Sequence, residues 1–216
     1  MAVRDPGGAE RAEGSPDRLM ASSDGIYAIV LTLLVLDIKV SDGLDAAAFR
    51  QAVVDLWPQL AAYLWRFYIL ATFWRDHRRP FLRVRRVDTL LLRLTLASLG
   101  AVALLPFTTG LLAEYRTQSL TIALYAAVIT CIVGLHLTIA ATVWRRKELQ
   151  ADHVSDQLGS AVVRDLGVTV IVFALSVPAA FVSPVAALCL WILLIPAKVV
   201  TGRHTRIANR STGIGR

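Results

Sequence analysis

Arg18-Leu-Met-Ala-Ser-Ser-Asp24-Gly-Ile-Tyr-Ala-Ile-Val-Leu-Thr-Leu-Leu-Val-Leu-Asp-Ile-Lys-Val40 decides how the rest of this chain is read. An Arg and an Asp open it, twelve uncharged residues follow from Gly25 to Leu36, and Asp37 and Lys39 close it. As a helix, the uncharged part spans roughly 18 Å, short of the roughly 30 Å hydrocarbon core of a bilayer. Such a helix is poor against lipid on every side and well suited to a bundle in which one side meets water. At 100° per residue, Ser22, Gly25, Ile29, Thr32, Leu33, Leu36 and Val40 fall within roughly 60° of one direction. Ser23 and Asp24 fall on other faces. The helix therefore carries a stripe of small and branched side chains and, away from it, a carboxylate. Ordinary helix–helix packing and the lining of a path both fit the stripe.

Working outward, the 216 residues are 56% hydrophobic with a mean hydropathy of +0.57. Soluble domains reach about 45–50% apolar only on a wider count that includes Gly, so the composition predicts an all-α membrane protein. In a soluble protein the net charge of +7 would raise nucleic acid as a partner. Here the basic residues sit between apolar runs, where they report topology instead, and no nucleic-acid partner is expected. Cys131 and Cys189 lie in apolar segments without metal-ligand spacing and are expected to be buried, inert thiols.

Residues 1–17 read as a disordered tail, with acidic residues ahead of any apolar run, unlike a signal peptide. Six membrane helices are expected, at about 20–40, 55–75, 89–112, 119–144, 160–181 and 184–202. Together they form one domain, 18–202, and 203–216 make a basic tail. Pro58 fits the first turn of the second helix, and Pro106 is expected to kink the third or loosen its outer end. The thirty-two uncharged residues from Leu166 to Ala197 are too long for one span, and Val182-Ser183-Pro184 marks the break. Residues 1–18, the 75–86 loop, the 145–164 connection and the last tail carry 3, 6, 4 and 4 Lys/Arg. The opposite side has only Lys39, Arg50 and Arg116. This asymmetry places both termini in the cytosol. No internal repeat is visible.

Several polar residues in or near the spans call for partners, because ionisable groups at membrane depth are costly. Asp24 is expected to pair with Arg18 or His77, or to cap its helix. Arg66, in the middle of the second helix, calls for a carboxylate such as Asp37, a protein interface or water. Arg93 can snorkel. His136 suits an interhelical hydrogen bond better than a pH sensor. Asp37 either attracts cations in an outer vestibule or marks a solvated helix end. The basic 75–86 loop either binds anionic lipid or simply follows the positive-inside rule. No Ser/His/Asp set, metal-spaced cluster or phosphate-cradling Gly loop is present, so no enzyme and no cofactor is expected.

The spacing Arg18-x-x-x-Ser22-Ser23-Asp24, followed by Ala28, Ile29, Thr32, Leu33 and Leu36, resembles the first-helix signature of the transmembrane protein 175 family. Ser22 stands where that signature usually has Phe. Trp74-x-x-His77 at the end of the second helix and Leu104-Leu-Pro-Phe107 in the third are similar to the family's as well. The resemblance implies a homotetrameric potassium channel in the cell membrane, with the first helix of each subunit lining a central pore. It maps the constriction onto Ile29, Leu33 and Leu36, with Thr32 beside them, and provides a potassium path without a fixed metal site. It implies that Arg18, Ser23, Asp24, Trp74 and His77 form a polar network holding the pore helix. A proton or non-selective cation leak through the same pore, and a transporter or non-conducting subunit, are the alternatives.

Overall fold

The computed structural model describes residues 15–115, 117–151, 156–192 and 194, and every described regular element is helical. Helix α1 runs Pro16–Leu33 and tightens into a 3-10 turn, Leu34–Asp37. It starts before the expected residue 20 because Ser15 caps it, with its hydroxyl accepting from the Arg18 N–H at 3.4 Å and Pro16 in the first turn. A missing N–H costs nothing at that position. Residues 15–17 are thus the cap and first turn of a helix and not part of a tail, and the 3-10 turn ends the helix at Asp37, before the expected Val40. Residues 1–14, the helix-six residues beyond 194 and the 203–216 tail lie outside the described residues.

Helix α2, Ala46–Val54, lies in the stretch between the first two expected helices. The Asp45 carboxylate caps it, accepting from Ala47 N and Ala48 N at 3.0 and 2.8 Å. None of its residues is buried. Helix α3, Leu56–Phe81, is longer than expected and takes up the first half of the basic 75–86 segment. Its last turns have an inner face, Asp76, His77 and Phe81, which the surrounding run of arginines hides in the sequence. Pro80 falls in the last turn, where only one helical hydrogen bond is lost.

The expected third helix is two, α4 (Thr89–Ala103) and α5 (Leu105–Glu114), broken at Leu104. The Pro106 ring excludes a normal bond to the carbonyl four residues earlier, and Leu104 N turns to Ala101 O at 3.2 Å. Helix α6 (Ser119–Arg145) is the central post, a 3-10 turn follows at Lys147–Leu149, and α7 (Asp156–Val182) lies along α6. Ser183 interrupts the chain, and a helix α8 follows over 184–192. The Ser183 hydroxyl accepts from Ala186 N at 3.3 Å as its cap.

Three apolar clusters stack along the bundle. Tyr27, Val30, Leu34, Leu99, Ile129 and Val133 belong to the middle one. At the basic end, Leu19 and Met20 of α1 pack on Phe81, Leu91 and Val143. At the other end Ile122 and Ala123 meet Ala180 and Ala187. Cys131 and Cys189 are free and exposed on the outside of the subunit, not buried. They sit on the outward faces of α6 and α8, beside neighbours such as Ile132 and Ala187 that turn inward.

Among the described residues, four helical segments are long and apolar enough to cross a membrane: Pro16–Asp37, Thr89–Glu114, Ser119–Arg145 and Asp156–Val182. The chain is therefore a multi-pass helical membrane protein. Helix α3 has the length, 26 residues, but its arginines lower its hydropathy.

The connections at the basic end fold back on the bundle. Val84 and Gln150 form an antiparallel bridge, with Arg85 N on Leu149 O and Ala151 N on Arg83 O, each at 2.8 Å. Asp88 serves two helices at once: one oxygen caps α4 through Leu91 N at 2.8 Å, and the other accepts from Arg146 beyond α6. Asp88→Ala is expected to cost about 1–2 kcal/mol through loss of the cap, seen as a lower thermal midpoint of the detergent-solubilised protein. Asp88→Asn should recover part of the loss by keeping a capping oxygen.

Candidate functional site

Helix α1 has one face packed and one face bare. Ser23, Tyr27, Val30 and Leu34, spaced four, three and four apart, are buried, with Tyr27, Val30 and Leu34 only 1%, 2% and 2% exposed. All seven stripe residues are exposed, and Ile29, Leu33 and Leu36 stand out at 60%, 41% and 63%. Helical geometry puts the two sets on nearly opposite sides. Ile171, Leu175 and Phe181 of α7 are as exposed, so the bare face of α1 is apolar surface open to lipid or to another copy of the chain. The Thr32 hydroxyl donates to Ile29 O at 2.8 Å. Its proton is thereby turned inward along the helix, and its oxygen lone pairs remain available on the bare face.

Two polar tethers join α1 to α3. Near the start of α1, the Asp24 carboxylate accepts from the Trp74 indole N–H at 2.7 Å. The ring face of that indole carries the Arg78 guanidinium, 5.4 Å from the ring centroid. At the far end, Asp37 accepts from Arg66 at 2.7 Å. Arg66 thus meets the carboxylate that its cost at membrane depth calls for, and Asp37 is a paired charge and not a free one.

The remaining members of the expected polar network do not converge on Asp24. Arg18 is exposed, and its side chain forms no hydrogen bond or ion pair among the described residues; its carbonyl accepts from Ser22 Oγ at 3.1 Å. Ser23 turns its hydroxyl onto Leu19 O at 2.9 Å within its own helix. His77 is 1% exposed and sits among rings: Tyr27 at 5.7 Å, Phe81 at 5.3 Å and His136 at 5.3 Å between centroids. Neither nitrogen of His77 has a hydrogen-bond partner among the described residues. His136 makes an interhelical bond, its Nε2 lying 3.3 Å from the Tyr27 hydroxyl.

Tyr27 was not singled out in the sequence, yet it joins α1 to both histidines. Its signal was present: it lies one turn after Ser23 on the face away from the stripe. Among the described residues no three His, Cys, Asp or Glu side chains are grouped to hold a metal ion.

Fold and site together define an all-helical, multi-pass membrane protein with an uncovered, branched face on its first helix. The family model described as "Endosomal/lysosomal potassium channel TMEM175" matches residues 18–106, from the start of this helix to the break between α4 and α5. A potassium channel of Streptomyces collinus is 38% identical over 128 residues, which cover 59% of this chain and 62% of that protein. The endosomal/lysosomal proton channel TMEM175 of Danio rerio is 30% identical over 122 residues, 56% of this chain and 23% of the other. The chain thus spans less than two thirds of the length of these curated relatives. The crystal structure of a lysosomal potassium-selective channel TMEM175 homologue from Chamaesiphon minutus superimposes with a TM-score of 0.66 at 26% identity, over 86% of this chain and 97% of that one. Over residues 18–106 the chain is similar to the TMEM175 family.

The Asp24–Trp74 tether is open to direct measurement. Trp74→Phe keeps the aromatic body and removes the donor. It should cost about 1.5–3 kcal/mol, the usual range for a hydrogen bond to a charged group, and lower the unfolding midpoint in detergent. In Asp24→Asn the same Trp74→Phe change should cost less, because the acceptor is no longer charged.

Proposed function

We propose that this chain is one subunit of a potassium-permeable channel in the cell membrane, with four copies of α1 around a central pore. The observation that carries the reading is the bare stripe. Ile29, Leu33 and Leu36 are exposed in the subunit, and a shared axis is the arrangement that covers four such stripes at once. The names of the relatives in Streptomyces collinus and Chamaesiphon minutus support potassium as the permeant ion. In this reading the subunit crosses the membrane six times, counting α3 and α8 with the four apolar spans, and both termini are cytosolic by the positive-inside rule.

Ile29, Leu33 and Leu36 form rings of branched side chains at the narrowest part of the pore. An apolar constriction gates by dewetting, and an ion passes it only after losing part of its hydration shell. The larger potassium ion loses water at lower cost than sodium, so a modest preference follows without a carbonyl filter. Thr32, with its lone pairs on the bare face, offers an oxygen where water is lost. Asp37, paired with Arg66, makes the outer vestibule close to neutral and leaves less attraction for cations than a free carboxylate. Asp24 and Trp74 hold the helix from behind, and the buried Ser23 and His77 pack at that end without lining the pore; Arg18, exposed, takes no part in that hold.

The name of the Danio rerio relative favours a second reading, a proton-conducting path through the same assembly. Purified protein in liposomes with opposed potassium and proton gradients separates the two. Potassium flux that rises several-fold in Ile29→Ala or Ile29→Asn is expected from a widened or wetted constriction. Flux carried mainly by protons would favour the second reading. No flux from wild type or from either variant would remove both and leave a transporter or non-conducting subunit.

Assembly offers an independent check. Asp24→Ala should reduce the tetramer fraction in detergent by light scattering, because α1 loses its hold on α3. Intact assembly with a changed ion preference would instead place Asp24 in the pore.

A further inference from the structure

Where α3, α6 and α7 end at the basic side of the bundle, they leave a shallow recess of about 50 Å³, open to the outside. Its chemistry is divided. Arg79 and Arg83 stand at the loop end, and Ala140, Val143, Leu158 and Val162 make apolar walls. Trp144, between the two, lies against α7 at Gly159, where a Cβ would collide with the indole ring. The indole N–H reaches Asp156 at 3.4 Å. Ala140 lies one helical turn deeper than Trp144, and Val162 one turn deeper than Leu158. The apolar part therefore extends along the membrane-spanning stretch of α6 and α7, while the charges stay at its end.

We propose that this recess binds an anionic membrane lipid, with the phosphodiester on Arg79 and Arg83 and an acyl chain along Val143, Leu158 and Val162. Charge complementarity argues for this occupant. Arg83 has no carboxylate partner among the described residues, whereas Arg79 is shared with Asp76 at 3.3 Å. Asp76 and Asp165 line the adjoining recess, which also borders on Arg79. Those carboxylates repel an anion from that side and confine the phosphate to the Arg83 side. A soluble anion would satisfy the arginines but leave the apolar walls bare. A membrane lipid matches both parts, with its headgroup at the level of the loops and its chain at the depth of the helices. A Trp at the boundary is at home in the interfacial layer.

The inference rests on the membrane-spanning reading and not on permeation, so its test reads lipid retention and not flux. The full chain, purified in neutral detergent, is given phosphatidylglycerol, phosphatidylcholine or inorganic phosphate. Bound lipid is counted by native mass spectrometry, and the thermal midpoint is followed in parallel. Phosphatidylglycerol should be retained and should raise the midpoint, while phosphatidylcholine and phosphate do neither. Arg83→Gln should weaken phosphatidylglycerol retention roughly fivefold, the value of one arginine near an anionic surface. Arg83→Lys should restore most of it, and Arg85→Gln, on the exposed side of the same loop, should leave it nearly unchanged. Val162→Trp, which fills the apolar part and leaves every charge in place, should also expel the lipid. Equal retention of phosphatidylcholine would overturn the proposal. So would a full shift from phosphate alone, or undiminished phosphatidylglycerol binding in both Arg83→Gln and Val162→Trp.

Discussion

Helix α1 cannot rely on the hydrophobic effect to stay in place. In a bilayer, lipid tails are as apolar as the helix that would dock there, and helices are held by close packing and by polar bonds with nowhere better to go. The two tethers to α3 meet this need at two heights. Asp24 reaches Trp74 at one end, and Asp37 reaches Arg66 at the other. A single bond would let α1 rotate about its own axis; two bonds separated along the helix oppose that rotation. Tyr27, Val30 and Leu34 then fill the space between and behind them. The direction in which the stripe faces is a consequence of these few contacts.

Each tether has a different supporting cast. The Trp74 indole is fixed on one edge by Asp24 and on its face by Arg78. Arg78 belongs to the last turns of α3, which exist because Asp76, His77 and Phe81 have an interior to enter. The basic segment is therefore more than a topology signal: half of it is helix, and that half supports α1 from behind. Its second half is stitched to the 147–151 segment by the Val84–Gln150 bridge and by Asp88 and Arg146. The end of the bundle that faces the charged loops is thus the more heavily cross-linked one.

Periodicity made the stripe readable before any coordinates, since a 3.6-residue repeat needs no knowledge of neighbours. The break at Val182-Ser183-Pro184 was readable for the same reason, because proline acts on its local backbone. What sequence could not supply was the choice among partners. Asp24 had Arg18 as a candidate six residues earlier in sequence, yet its bond goes to Trp74, fifty residues away. Tyr27 and His136 are 109 residues apart, and only the packed bundle brings them together. The extent of α3 was hidden by charge: the arginines outnumber the residues that turn inward. Helix α2 buries nothing, so it left no apolar pattern to read, only the capping carboxylate of Asp45.

The 3-10 turn at the end of α1 has a geometric consequence. An α-helix advances each side chain by 100°, so residues three apart differ by about 60° in direction. In a 3-10 turn, side chains three apart eclipse one another. Leu33 is the last α-helical residue and Leu36 lies inside the turn, so the two come closer to a single column than an unbroken helix would allow. In the proposed tetramer they become two leucine rings almost in register, a longer dry sleeve in place of two staggered collars. The length of chain that an ion must cross without water is then set by how tightly four residues are wound.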